Sequence, residues 1–135
     1  MGALEGLAGS LGAITGRRTG TLAYTGPKSG RPIELKVWAV PQGDTFLVGV
    51  GKHTAKSWWK AFRGGLPATF TWHGTGYAVA GRLLDPARLD PTDSTKAVAR
   101  AEWEAARAAY LRQIPLAKVQ MNDATPVVVL ERITT

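Results

Sequence analysis

The chain has no cysteine and only two histidines in 135 residues. Without thiols there are no disulfides and no thiolate metal sites. His53 and His73 lie far apart in sequence, so no metal site is expected either. No apolar run approaches the ~20 residues of a membrane span. The opening segment, residues 1–16, is apolar but carries Glu5 where a signal peptide carries positive charge, and no A-x-A site follows an unbroken apolar core. It reads as a short helical segment packed on the domain, with a membrane-surface contact as the other reading, and the protein reads as cytoplasmic.

Familiar catalytic signatures are missing as well. Gly49-Val50-Gly51 lacks the third glycine of G-x-G-x-x-G, and no strand–helix–strand alternation surrounds it. The phosphate-loop pattern G-x-x-x-x-G-K-[ST] and the G-x-S-x-G of serine hydrolases are both absent. No pair of carboxylates accompanies the basic residues of the first half, which argues against glycosidase-type chemistry.

What is present is an ordinary globular composition, 44% hydrophobic and 20% charged, in a chain the size of one domain, 1–135. Its net charge of +7 is unevenly placed. Nine cations stand between Arg17 and Arg63 against only Glu34 and Asp44, whereas after Arg63 eight cations face seven acids. A one-sided excess of this kind points to an anionic partner: a phosphorylated cofactor, a nucleic acid or an acidic lipid surface.

Strand signals recur along the chain. TLAYT (Thr21–Thr25) is short and β-rich. In Ile33–Val40, Ile33, Leu35, Val37 and Ala39 alternate with Glu34, Lys36, Trp38 and Val40, the pattern of a half-buried strand. Gln42-Gly43-Asp44 turns this strand onto Thr45–Val50. Pro67–Gly74 and Gly76–Asp85 form a second hairpin through Gly74-Thr75-Gly76, and Pro126–Ile133 is a final β-branched run. A short helix is expected from Thr54 to Phe62, ended by Gly64-Gly65. A longer one starts after Asp90-Pro91, with Thr92 or Asp93 as N-cap, and runs to about Gln113. Its stripe of Ala99, Trp103, Ala106, Tyr110 and Ile114 packs on the sheet. The class is mainly β (α+β): about six mostly antiparallel strands in a small barrel, with a short helix after the third strand and a longer C-terminal helix.

Two segments concentrate the chemistry. In TGPKSGRP, Thr25–Pro32, a turn rich in glycine and proline presents Lys28, Ser29 and Arg31 as donors of charge-assisted hydrogen bonds. In GVGKHTAKSWWKAFRGG, Gly49–Gly65, Lys52, His53 and Thr54 lead into the expected helix, whose first turn carries Lys56 and Ser57. Cations at a helix N-terminus are mildly unfavourable unless an anion is bound there, so their presence points to a site. Adjacent Trp58 and Trp59 project about 100° apart on a helix, so one packs inward and the other is free to wall a ligand pocket.

The order of strand, T-G-x-K-S-G-[RQ]-P, strand, hairpin, a strand ending in glycines and K-x-x-W-[WY]-x-x-[LF]-x resembles the deazaflavin-dependent nitroreductase family of flavin-reductase-like split β-barrels. It covers about Thr21 to Asp85, where the two segments read TGPKSGRP and HTAKSWWKAFRGG. The resemblance implies a split β-barrel that binds coenzyme F420, an 8-hydroxy-5-deazaflavin carrying a phosphodiester and an oligoglutamate tail. By position it implies Lys28, Ser29, Arg31, Lys52, Lys56 and Ser57 as ligands of the phosphate and tail, with Trp58 or Trp59 beside the ring. This chain has Pro27 where the family often carries a basic residue, which removes one implied phosphate contact. The implied reaction passes a hydride to an electron-poor small-molecule acceptor such as a quinone, an enone or a nitro compound. Solvent, Tyr110 or His53 is the proton donor. Split barrels of this kind are often dimers, which leaves a homodimer open. Two other readings are an FMN-binding oxidase or reductase on the same barrel, and a nucleic-acid-binding barrel with Trp58, Trp59 or Trp72 stacking on bases.

Overall fold

The alternating run Ile33–Val40 does not form one strand. It is divided at Ala39, and that division organises the sheet. The computed structural model describes residues 17–133. It contains β1 (Thr19–Thr25), β2 (Pro32–Trp38), β3 (Val40–Gln42), β4 (Thr45–Gly49), β5 (Leu66–Trp72), β6 (Thr75–Leu84), helix α1 (Ala97–Gln113) and β7 (Val127–Arg132). There are thus seven strands rather than six, in the order β2-β1-β5-β6-β7-β4-β3, every neighbouring pair antiparallel.

β2 and β3 stand at opposite ends of that order, yet only Ala39 separates them in the chain. The two ends of the sheet therefore meet at one corner, and the sheet curls into a barrel. Ala39 is fully buried there, and its N–H donates to the Arg18 carbonyl at 2.6 Å. Away from this corner the barrel is open. β1 and β5 pair only between Gly20–Ala23 and Thr69–Trp72 and then diverge. The groove between them is lined by Tyr24, Thr25, Ile33, Glu34 and Pro67–Thr69. This is a split β-barrel.

Alternation along the strands builds two cores. Leu22, Tyr24, Val37, Phe46, Val48, Phe70, Val128 and Leu130 fill the barrel, while Val40, Leu47, Val127 and Val129 lie against α1. β4 and β7 serve both, so each is buried on its two faces, and the run PVVVL needs no polar alternation. The helix stripe is as expected: Trp103, Ala106, Tyr110 and Ile114 are buried, and Ala99 packs at the edge. Asp93 caps a 3₁₀ turn, Ser94–Lys96, by accepting from the Thr95 N–H at 2.9 Å, and this turn runs straight into α1. The second hairpin turns at His73-Gly74, one residue earlier than the sequence suggests. Both residues have positive φ, 51° and 84°, as a two-residue type I′ turn requires.

The short helix after β4 is replaced by two 3₁₀ turns, His53–Ala55 and Trp58–Phe62. Lys52 enters in the left-handed region (φ 55°) and Lys56 is extended (φ −130°, ψ 153°), so the i→i−4 ladder never forms. Residues 1–16, expected as a helical segment, lie outside the described residues. No helix among those described is long and apolar enough to cross a membrane.

One ionic knot joins helix and sheet. Arg82 of β6 donates to Glu131 of β7 at 2.6 Å and, through both terminal nitrogens, to Glu102 of α1. The Arg82 guanidinium holds the Glu102 carboxyl below its ordinary value of 4.5. A depressed carboxylate contributes stability that is present above its unfolded value and lost as pH falls through the folded one. Glu102→Gln should therefore lower Tm at neutral pH, and its gap from the native protein should close on acidification below 4.5. A gap unchanged by acid would show that the knot contributes nothing through charge. In the barrel, Gly81 lies so close to the fully buried Phe62 ring that a Cβ would collide with it. Gly81→Ala should cost about 1–3 kcal/mol in urea unfolding.

Candidate functional site

The first basic segment forms a closed turn. The Gly26 N–H donates to the Arg31 carbonyl at 2.8 Å, and the Gly30 N–H donates to the Gly26 carbonyl at 2.9 Å. Gly30 has φ +69°, which favours glycine. Gly26 is pressed against Ser29, whose Oγ would lie 2.7 Å from an added Cβ. Ser29 Oγ accepts from the Arg31 N–H at 3.2 Å, so this hydroxyl serves the turn itself. Lys28 and Arg31 are exposed at its tip.

The second segment is organised around Trp59, which is buried. Its indole N–H donates to two carbonyls, His53 at 3.1 Å and Lys56 at 3.0 Å. These are bonds that a regular helix would have made along its own backbone. The Arg63 guanidinium and the Lys60 ammonium lie over the same indole, at 5.4 and 5.7 Å. Arg63 also reaches the buried carboxylate of Asp85 at 3.5 Å. Two of the nine cations counted in the first half are therefore engaged within the fold. The electrostatic case for an anion at a helix N-terminus lapses, because there is no helix here to provide one.

The two segments meet through Tyr24. From the barrel wall its hydroxyl donates to the Trp58 carbonyl at 3.2 Å, and burial raises its pKa, keeping it a neutral donor.

Beside Trp58 a pocket of about 210 Å³ opens between β2, the end of β4, α1 and the stretch that follows α1. Lys36, Trp38, Lys56, Trp58, Tyr110, Gln120 and Met121 are among its lining residues, and among the described residues no carboxylate is. Glycines shape its floor. A Cβ on Gly49 would come within 2.8 Å of both Tyr110 and Met121, and one on Gly51 within 2.8 Å of Gln120. The strand thus ends in glycines because α1 and residues 120–121 press against it. Tyr110 donates its proton to the Trp38 carbonyl at 3.3 Å. Burial pushes its pKa well above the ordinary tyrosine value, against a smaller opposing effect of a backbone hydrogen bond with Gly49.

Of the residues singled out from the sequence, Lys56, Trp58 and Tyr110 share this pocket. Lys28, Ser29 and Arg31 lie on the β1–β2 turn, and Lys52 and Ser57 are exposed on the second segment without lining the pocket. His53 is edge-on to Trp59 at 5.9 Å and also lies off the pocket wall. Lys36, Trp38, Gln120 and Met121 were not singled out. Lys36 and Trp38 stand on the outward face of the alternating strand, which the sequence shows. Nothing in the pattern after Pro115 marks Gln120 or Met121.

No protein-family model and no curated protein matches the chain. Solved structures do. An F420-H2 dependent reductase superposes with a TM-score of 0.57 at 14% identity, over 85% of this chain and 95% of that one. A structure described as a domain-swapped dimer gives 0.56 at 13%, over 85% and 81%. A pyridoxamine 5′-phosphate oxidase-related, FMN-binding protein from Nostoc punctiforme gives 0.53 at 15%, over 98% and 79%. The likeness establishes the fold: a split barrel of the kind found in proteins named for F420 and for FMN.

Trp59→Phe keeps an aromatic ring at the site, though a smaller one, and removes the donor shared by the His53 and Lys56 carbonyls. It should destabilise the protein by about 1–2 kcal/mol in urea and speed amide exchange across residues 53–63. Unchanged exchange there would mean that the indole does not organise the segment.

Proposed function

We propose that the protein is an oxidoreductase dependent on a deazaflavin, coenzyme F420, and reduces an electron-poor acceptor such as a quinone, an enone or a nitro compound. The observation that carries this reading is the pocket: Trp58 in its wall, Lys56 beside it and no carboxylate among its described lining residues, close to exposed Lys52 and the turn that bears Lys28 and Arg31. Its volume of about 210 Å³ is below the ~300–1,000 Å³ of sites that enclose a whole ligand. It would therefore enclose only part of what binds, the reactive edge of a flat ring and of the acceptor beside it, with the phosphate and acidic tail outside. Exposed Lys28, Arg31, Lys52 and Lys56, with Ser57, are the side chains to meet them; Ser29 would serve by holding Arg31 in place.

Bound in its reduced form, the deazaflavin supplies the hydride. The protein's share is to hold and shield. Trp58 offers a half-buried indole beside the ring, while Val48, Val50 and Met121 exclude water from the inner end. Tyr110, neutral and with its proton committed to Trp38, fixes the pocket wall. Product protonation then falls to solvent at the open mouth rather than to Tyr110 or His53.

The FMN reading has its own support in the FMN-binding structure, which covers 98% of this chain. It calls for fewer cations, since FMN carries one phosphate and no acidic tail. A base-stacking nucleic-acid surface is disfavoured, because Trp59 and Trp72 are buried. The likeness to a domain-swapped dimer supports a homodimer, and a cytoplasmic location belongs to the same reading.

Tryptophan quenching on titration with oxidised deazaflavin, and separately with FMN, tests the assignment. Lys28→Ala with Arg31→Ala should weaken deazaflavin binding by about 1.5–3 kcal/mol for each charge-assisted bond removed. Equal binding by the double variant would remove the turn from the site, and binding of FMN alone would replace the cofactor.

A further inference from the structure

Part of the pocket is not claimed by the proposed cofactor residues. Lys56 and Trp58 belong to the segment assigned to the phosphate and ring. The side chains of Lys36, Trp38 and Gln120 come from other elements and have no part in that assignment. Lys36 is exposed on β2, directly across from Thr21 of β1. Among the described residues no ion pair involves it or Lys56. The nearest acid along the strand, Glu34, is exposed and lines the separate groove between β1 and β5.

Two ammoniums on one small pocket repel each other, and among the described residues no acid in the lining offsets them. An anion held at the mouth removes that cost. Besides Lys36 the lining includes the half-buried indole of Trp38, the buried side chains of Val48, Val50 and Met121, and the Gln120 amide as a further polar group. A ligand matched to this wall has a planar conjugated body and a negative charge at one end.

We infer that Lys36 and Trp38 form the acceptor's subsite, and that the acceptor is a planar conjugated carboxylate, such as an aromatic nitro acid, rather than a neutral quinone. This deepens the deazaflavin reading and rests on it for the role of Lys56 and Trp58. Lys36 pairs with the carboxylate, Trp38 stacks on the conjugated body, and the electron-poor end lies toward Trp58.

The test is calorimetric titration of the full chain with 4-nitrobenzoate and with its uncharged amide, 4-nitrobenzamide. Deazaflavin is titrated in parallel. The acid should bind at least about fivefold more tightly than the amide at low salt. That preference should vanish in Lys36→Met and persist in Lys36→Arg, while the affinity of either variant for deazaflavin stays within about twofold of wild type. Equal binding of acid and amide by the wild-type chain overturns the inference. So does a preference that survives in Lys36→Met, or a parallel loss of deazaflavin binding, which would give Lys36 to the cofactor. A wild-type chain that ignores deazaflavin yet keeps a Lys36-dependent preference for the acid sustains the subsite and removes the cofactor assignment instead.

Discussion

The rest of the structure depends on the corner at Ala39. One buried residue joins the two strands that end the sheet, so the sheet must curve until its ends meet. That curvature gives the barrel an inside. It also sends Val37 and Ala39 into the barrel core, and Trp38 and Val40 toward the helix-covered core. A larger residue at the corner would have to fit a site that is fully closed.

The pocket follows from the same geometry. It lies where β2 nears the corner, where β4 ends in glycines, and where Tyr110 of α1 fixes itself to the Trp38 carbonyl. Helix, corner and pocket are therefore one mechanical unit. The β1–β2 turn joins it through Tyr24, which holds the Trp58 carbonyl. Basic side chains are thus displayed by rigid elements, whereas Lys60 and Arg63 are engaged with the Trp59 indole.

Much of this was legible in the sequence, and the failures share a cause. Alternation in Ile33–Ala39 correctly separated inner from outer residues, and the stripe from Ala99 to Ile114 correctly picked the buried face of α1. Both are local periodicities. The break at Ala39 was not legible, because alanine carries no turn signal and the closure of the sheet imposes the corner. The stretch Thr54–Phe62 was expected as a helix closed by Gly64-Gly65. Instead the Trp59 side chain took over the carbonyls, a contact that spacing does not reveal. The basic turn was read from its glycines and prolines, and its hydrogen bonds are those of a rigid turn. Lys36 was visible as an outward residue, but its pocket exists only once residues 120–121 fold back against Gly49 and Gly51.

The strand order also has a consequence for how the chain reaches this state. β7 follows the other six described strands in sequence, yet it lies between β6 and β4 in the middle of the sheet. Until it docks, β4 and β3 have no partner linking them to β6, and the helix-side core lacks Val127 and Val129. A nascent chain therefore carries exposed strand edges until β7 has left the ribosome and docked. Pairing at such separation is slow and leaves open edges vulnerable to association. The positive charge concentrated in the first half makes copies of an unfinished sheet repel one another.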